Sequence, residues 1–325
     1  MSASPPRVLI TGISGQDGSL LAELLVADGV EVHGTVRAPA DRELVNLAAV
    51  REQLALHACD LAVPGRLRTL VGEVGPTEIY HFASPTFVPE SWREPAQTIR
   101  EIAGSGAELL QAVRDLAPEA RVVLANSREI FGPDAPSPQD ETTPCRPGSP
   151  YGVAKLAVHQ LIGLARVRDH LHASSAILYN HESPRRPETF ISRKVTRTAA
   201  AISLGLADEL VLGDLDAVRD WSAARDIVRA MRAMASASEA GDFVLASGVG
   251  RTVRELVDVA FAVVDIDPAE HVRVDQRYVR PAERFDPVGN PHHAREQLGW
   301  AAEVRFEELI AEMVQADLAD LATRR

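Results

Sequence analysis

The sequence predicts an α/β protein built on a doubly wound parallel sheet, with a smaller C-terminal α/β lobe for substrate, and three observations carry that expectation. Short apolar runs with strand character alternate with helical stretches through the first half of the chain. Three glycines at intervals of three stand between the first strand and the first helix. After Asn180 the pattern changes to shorter helices, loops rich in Pro and Arg, and one returning strand around Phe243-Val244-Leu245. The expected division is a first domain over 1–179, rejoined by segments near 220–248, and a lobe over 180–325.

Taken in order, Arg7-Val8-Leu9-Ile10-Thr11 reads as a buried strand, and Gly12, Gly15 and Gly18 follow it. Gly12 permits a tight turn, Gly15 lets backbone approach a diphosphate, and Gly18 lets the helix pack on the sheet, as in a Rossmann-like dinucleotide site. A second strand, Glu31 to Val36, ends at Arg37. An acidic residue there would bind a ribose 2′-hydroxyl, so Arg37 favours NADP, with NAD the alternative. The third strand, Leu54 to Cys59, runs into Asp60-Leu61, where the carboxylate suits either an adenine amine or a helix cap. Further strands are expected at Ile79–Ala83, Val122–Ala125 and Ser175–Leu178, with a long helix after Pro95. Ligands gather at the carboxyl ends of such strands, and Ser127 and Glu129 lie just beyond one of them.

Tyr151 and Lys155 stand four apart in Ser149-Pro150-Tyr151-Gly152-Val153-Ala154-Lys155, about one helical turn. A phenol near pKa 10 is a poor base at neutral pH, and a neighbouring ammonium can lower it. The pair alone could be an ordinary helix contact. Its company with the glycine turn makes it an acid/base candidate for hydride chemistry.

Composition sets bounds. At 325 residues the chain can bury two cores. With 34 basic and 46 acidic residues the net charge is −12, which argues against a general nucleic-acid surface. No apolar run approaches the ~20 residues of a membrane span. Cys59 and Cys145 are too few for a disulfide framework and sit in no metal-type cluster, so reduced thiols, no metal and a cytoplasmic location are expected. Met1 to Pro6 has neither the basic start nor the apolar stretch of a signal peptide.

The chain resembles the extended short-chain dehydrogenase/reductase family, specifically its GDP-mannose 4,6-dehydratase branch, nearly end to end. The carriers are Thr11 to Ser19, Ser149 to Lys155, Asn180-His181-Glu182-Ser183-Pro184-Arg185-Arg186, Leu212 to Trp221, and Arg280-Pro281-Ala282-Glu283. The first two are shared across the wider family, and the third and fourth are specific to the branch. The resemblance implies Ser127, Glu129, Tyr151 and Lys155 as catalytic residues. It implies Gly12, Gly15, Gln16, Asp17, Gly18, Arg37, Asp60, Leu61 and Ala83, with Tyr151 and Lys155, as the cofactor site. For the GDP-sugar it implies Thr86, Arg128, Asn180, Arg185, Arg193, Lys194, Arg219, Arg280 and Glu283. Arginine forks suit a sugar-linked diphosphate. His181 is expected to be structural, since the only carboxylate the sequence places beside it is Glu182.

The chain also departs from the branch. Thr-Ser-Glu becomes Ser127-Arg128-Glu129, where Arg128 could pair with Glu129 or reach the sugar. Ala-Gln-Ser-His becomes Ser84-Pro85-Thr86-Phe87, and a longer basic loop shrinks to Ala38-Pro39-Ala40-Asp41. A homodimer is therefore expected rather than a tetramer. Dehydration of a GDP-hexose is the leading expectation. A GDP-sugar epimerase working through the same 4-ketone, a 4-keto reductase and a catalytically silent nucleotide-binding module remain open at this point.

Overall fold

Strand β1 (Arg7–Thr11) shows how the sheet is built, because its successive side chains enter different cores. Val8 and Ile10 join one apolar cluster with Leu21, Met231 and Phe243, while Leu9 joins another with Ile79, Leu109 and Ile162. Alternate residues of a strand point to opposite faces, so an all-apolar strand demands a sheet covered on both sides. A computed structural model describes residues 6–37, 44–278 and 286–323.

In chain order β1 is followed by α1 (Gln16–Ala27), β2 (Glu31–Val36), β3 (Leu54–Ala58), α2 (Arg66–Val74) and β4 (Glu78–His81). Next come α3 (Val88–Arg93), α4 (Pro95–Ile99), α5 (Ser105–Leu116), β5 (Arg121–Ser127), α6 (Pro150–Asp169) and β6 (Ala173–Leu178). The remainder is β7 (Asn180–Glu182), α7 (Ile191–Ser203), β8 (Leu210–Leu212), β9 (Val218–Ala223), α8 (Ala224–Ser236), β10 (Asp242–Leu245), β11 (Gly250–Thr252), α9 (Val253–Val263), α10 (Pro268–His271), β12 (Val272–Val274), α11 (His292–Leu298) and α12 (Phe306–Thr323).

Seven parallel strands lie in the order β10-β6-β5-β4-β1-β2-β3. The order reverses between β1 and β4, where Thr11 pairs His81, and that crevice is where open α/β sheets bind ligands. Phe243 to Leu245 does return to this sheet, against β6. A separate core of Val195, Trp221, Phe261, Leu309 and Met313 lies between α7, α9 and α12, with the Trp221 and Phe306 rings stacked 5.7 Å apart.

Several expectations need correction. The long helix after Pro95 contains a π turn at Arg100–Gly104, which divides it into α4 and α5. The fourth strand stops at His81 rather than Ala83, because the Thr11 hydroxyl accepts the Ala83 N–H (3.2 Å) and turns the chain away. Beyond Asn180, β7, β9 and β11 form a three-stranded sheet and β8 pairs with β12, where the sequence suggested a single returning strand. Strands of three residues, some of them wholly polar like Asn180–Glu182, carry too little periodicity to announce themselves. No helix among the described residues is long and apolar enough to cross a membrane.

Candidate active site

The glycine turn is closed in a way that tolerates no side chain. Gly12 has φ +71°, and a Cβ there would lie 2.9 Å from the Ala83 backbone. A Cβ on Gly18 would meet the Gly12 carbonyl at 2.5 Å. The α1 N-terminus, whose cap at Gly15 carries no side-chain hydrogen bond, therefore opens its backbone donors to solvent and to any anion. It faces a groove of ≈ 320 Å³ lined by Gly12, Gly15, Gln16, Asp17, Gly18, Arg37, Asp60, Leu61, Ala83 and Thr86. These residues suit a dinucleotide diphosphate, with Arg37 at the end of β2. Asp60 also accepts from the Ala62 N–H (2.9 Å) within a turn, but it caps no helix, since α2 begins at Arg66 with Gly65 as its N-cap.

A second hollow of ≈ 220 Å³ shares Arg37, Pro85 and Glu101 with the groove and reaches Tyr151. Helix α6 starts where Ser149 caps the Gly152 N–H (3.0 Å) and Pro150 occupies the first turn. Gly152 allows the helix to sit on the 3-10 turn Arg128–Ile130, because a Cβ would strike the Glu129 carbonyl at 2.6 Å. That contact brings Tyr151, Ser127 and Glu129 together. The Ser127 hydroxyl hydrogen-bonds the Tyr151 phenol, and the Glu129 charge is near enough to oppose its ionisation.

Burial pushes the Tyr151 phenol up to about 12, and the Ser127 bond offsets only part of that. The expectation that Lys155 lowers it is not met here. Its ammonium is spent on Ser84 Oγ (3.1 Å) and the Ala125 carbonyl (2.8 Å), and lies 5.8 Å from the phenol ring centroid. Burial lowers Lys155 itself to about 8. Asn126, which the sequence reading passed over, joins the parts: its amide donates to the Lys155 carbonyl (3.3 Å) and Ser175 Oγ (3.2 Å) and accepts from the Ser127 N–H (2.9 Å). An amide directly after the apolar run Val122 to Ala125 of β5 was the available signal.

The segment after β6 is fastened to the glycine turn. Gln16 donates to the His181 carbonyl (3.0 Å) and accepts from Ser183 (2.8 Å). His181 has a carboxylate partner that sequence proximity could not disclose, Asp17 at 2.9 Å, and its other nitrogen meets the Tyr179 carbonyl at 2.7 Å. Burial opposes the charge on both members, yet each holds the other ionised: His181 is raised and Asp17 lowered. Arg186, quoted only as part of the motif, lines the groove, stacks 3.6 Å over the Phe190 ring and lies 3.1 Å from Glu182. Phe87 meets Phe190 edge-on at 6.3 Å.

Each described basic residue assigned to a sugar nucleotide has a partner within the chain. Arg185 binds Ser19 (2.9 Å) and Glu23 (2.5 Å) on α1. Arg193 is held by the fully buried Asp317 (2.6 Å) and the Pro184 carbonyl, and Lys194 by the Val211 carbonyl (2.6 Å). Arg219 donates to the Val218 carbonyl (2.6 Å), and Asn180 opens β7. Arg128 is buried and pairs with Glu129 (2.7 Å), not with open space. Arg280 and Glu283 lie outside the described residues.

Residues 9–313 match the family model described as GDP-mannose 4,6 dehydratase. GDP-mannose 4,6 dehydratase 2 of Arabidopsis thaliana is 40% identical, over 97% of this chain and 87% of its own length. The GDP-mannose 4,6-dehydratase of Yersinia enterocolitica is 39% identical, over 96% and 94%. Among solved structures, UDP-glucose 4-epimerase of Thermus thermophilus in complex with NAD superposes with a TM-score of 0.83 at 26% identity, covering 96% of this chain and 98% of that one. RMD from Pseudomonas aeruginosa, complexed with NADPH, shares the fold at TM-score 0.81 and 24% identity, over 97% and 99%.

Proposed function

The chain belongs to the GDP-mannose 4,6 dehydratase family and is a nucleotide-sugar dehydratase, and we propose that it converts a GDP-hexose to its 4-keto-6-deoxy form. A nicotinamide dinucleotide in the groove would supply reversible hydride storage, so no net oxidation results. Tyr151 takes the proton of the sugar 4-hydroxyl as carbon 4 is oxidised, and Ser127 holds that oxygen. Lys155, whose ammonium has a third N–H donor beyond those given to Ser84 and Ala125, would hold the nicotinamide ribose. The ketone acidifies carbon 5. Glu129 removes that proton and returns it to the departing 6-hydroxyl, which leaves as water, and the stored hydride at carbon 6 with a proton at carbon 5 would complete the 4-keto-6-deoxy sugar.

One observation carries this reading: Gly152, next to the Tyr151 phenol that oxidation requires, packs on the backbone of Glu129, the carboxylate that elimination requires, in the turn that Ser127 caps. An epimerase would need no carboxylate to expel water. Arg37 on the groove supports NADP over NAD. Exposed Val153, Leu164 and Val167 on α6 support a homodimer, and the free thiols Cys59 and Cys145 a cytoplasmic home. We also divide the chain near 179/180, with α8 and β10 returning to the first domain.

Incubation with GDP-mannose and NADP tests the reading by mass spectrometry. The expected product has lost one water. A stereoisomer of unchanged mass would replace this reading with the epimerase. Tyr151→Phe should lower turnover by about 10²- to 10⁴-fold while nucleotide still binds; near-normal turnover would remove the phenol from the reaction.

A further inference from the structure

We propose that Arg128 is a positioning residue, which clamps the Glu129 carboxylate by one oxygen so that the other is presented to carbon 5 of the sugar. The proposal rests on the dehydratase reading above. Arg128 occupies the first position of the turn after β5, and its side chain is only 10% exposed against 26% for Glu129. The guanidinium is thus the more deeply set member of the pair and the carboxylate the more accessible one. Nη2 meets Oε1 at 2.7 Å, the short distance of a charge-assisted bond.

Buried polar groups lie near the guanidinium. Tyr179 feels the Arg128 charge, and its phenol donates to Gln139 Oε1 (2.5 Å). Both side chains are buried, at 3% and 1% exposure. A guanidinium seated this deeply has little freedom to swing toward a hexose. With Oε1 engaged, Oε2 is the oxygen left for chemistry.

The step balances without any added reactant. Oε2 takes the proton on carbon 5, the C–H electron pair becomes the enolate of the existing 4-ketone, and that pair then forms the C5–C6 double bond. The C6–O bond breaks, and the oxygen leaves as water with the proton returned from Oε2. One oxygen must therefore face two neighbouring carbons in turn, and displacement of about 1 Å costs on the order of 100-fold.

The test is Arg128→Ala assayed with GDP-mannose in heavy water, following product formation and deuterium at carbon 5. The expected result is a kcat about 10- to 100-fold lower, KM changed by less than about threefold, and deuterium incorporation slowed in step. Methylguanidinium should restore part of the rate. Arg128→Lys, the variant to use if Arg128→Ala does not fold, should keep the charge, lose the fork and fall between. Unchanged kcat would overturn the proposal. So would a raised KM at unchanged kcat, which would make Arg128 a sugar contact. A wild-type enzyme that neither dehydrates nor exchanges carbon 5 would instead sink the parent reading, before any variant is made.

Discussion

The glycine turn and the basic substrate segment behave in opposite ways when sequence is set against structure. At the turn, Gly12, Gly15, Gly18, Arg37, Asp60, Leu61 and Ala83 all line one groove. In the basic segment, Arg185, Arg193 and Lys194 each bind an internal partner. The difference teaches that a requirement placed on the backbone is local and legible. A long cation's partner is chosen by whatever the fold brings within reach.

The comparison can be broken most severely at Asp317. It is fully buried on α12 and accepts from Arg193 (2.6 Å), Thr196 (2.8 Å) and Arg197 (3.3 Å). Asp317→Ala should cost about 3–5 kcal/mol of stability in denaturant unfolding, because the half-buried Arg193 guanidinium loses its carboxylate, whereas Arg197 keeps Glu188 and Asp320. A loss no larger than that of a surface pair would return Arg193 to the list of substrate contacts.

Next in size is Gly18→Ala. The added methyl would meet the Gly12 carbonyl at 2.5 Å, so backbone must move. We expect dinucleotide affinity, measured by calorimetry, to fall by about 100-fold and stability by about 1–3 kcal/mol. Unaltered affinity would mean that the groove is not the diphosphate site.

The smallest effect concerns the joint between the two regions. Because His181 is raised by Asp17, the folded state binds more protons than the unfolded chain above the ordinary histidine value near 6.5. Its stabilisation is complete below that value and is lost as pH rises through the folded pKa. Asp17 contributes the converse, lost only as acid approaches its lowered value. The stability difference between wild type and His181→Gln should therefore shrink from pH 6 to pH 9, and a constant difference would show that the imidazole is not charged.

How far the site was legible follows the same division. Tyr151, Lys155, Ser127 and Glu129 could be picked out because a cap, a glycine and a strand end are local marks. The state of the phenol could not, since burial, which raises it to about 12, depends on the whole wall around it. Nor could the Asp17–His181 bond, whose members are 164 residues apart. Arg128 was legible as an anomaly, but its direction was not.

By itself, then, the sequence determined the sheet, the glycine cradle and which groups could move protons, because periodicity, chirality and steric exclusion act between near neighbours. Only the tertiary structure decided which charges meet, which are consumed and how deeply the phenol lies. Desolvation and Coulomb energies depend on distances that close only when remote segments pack.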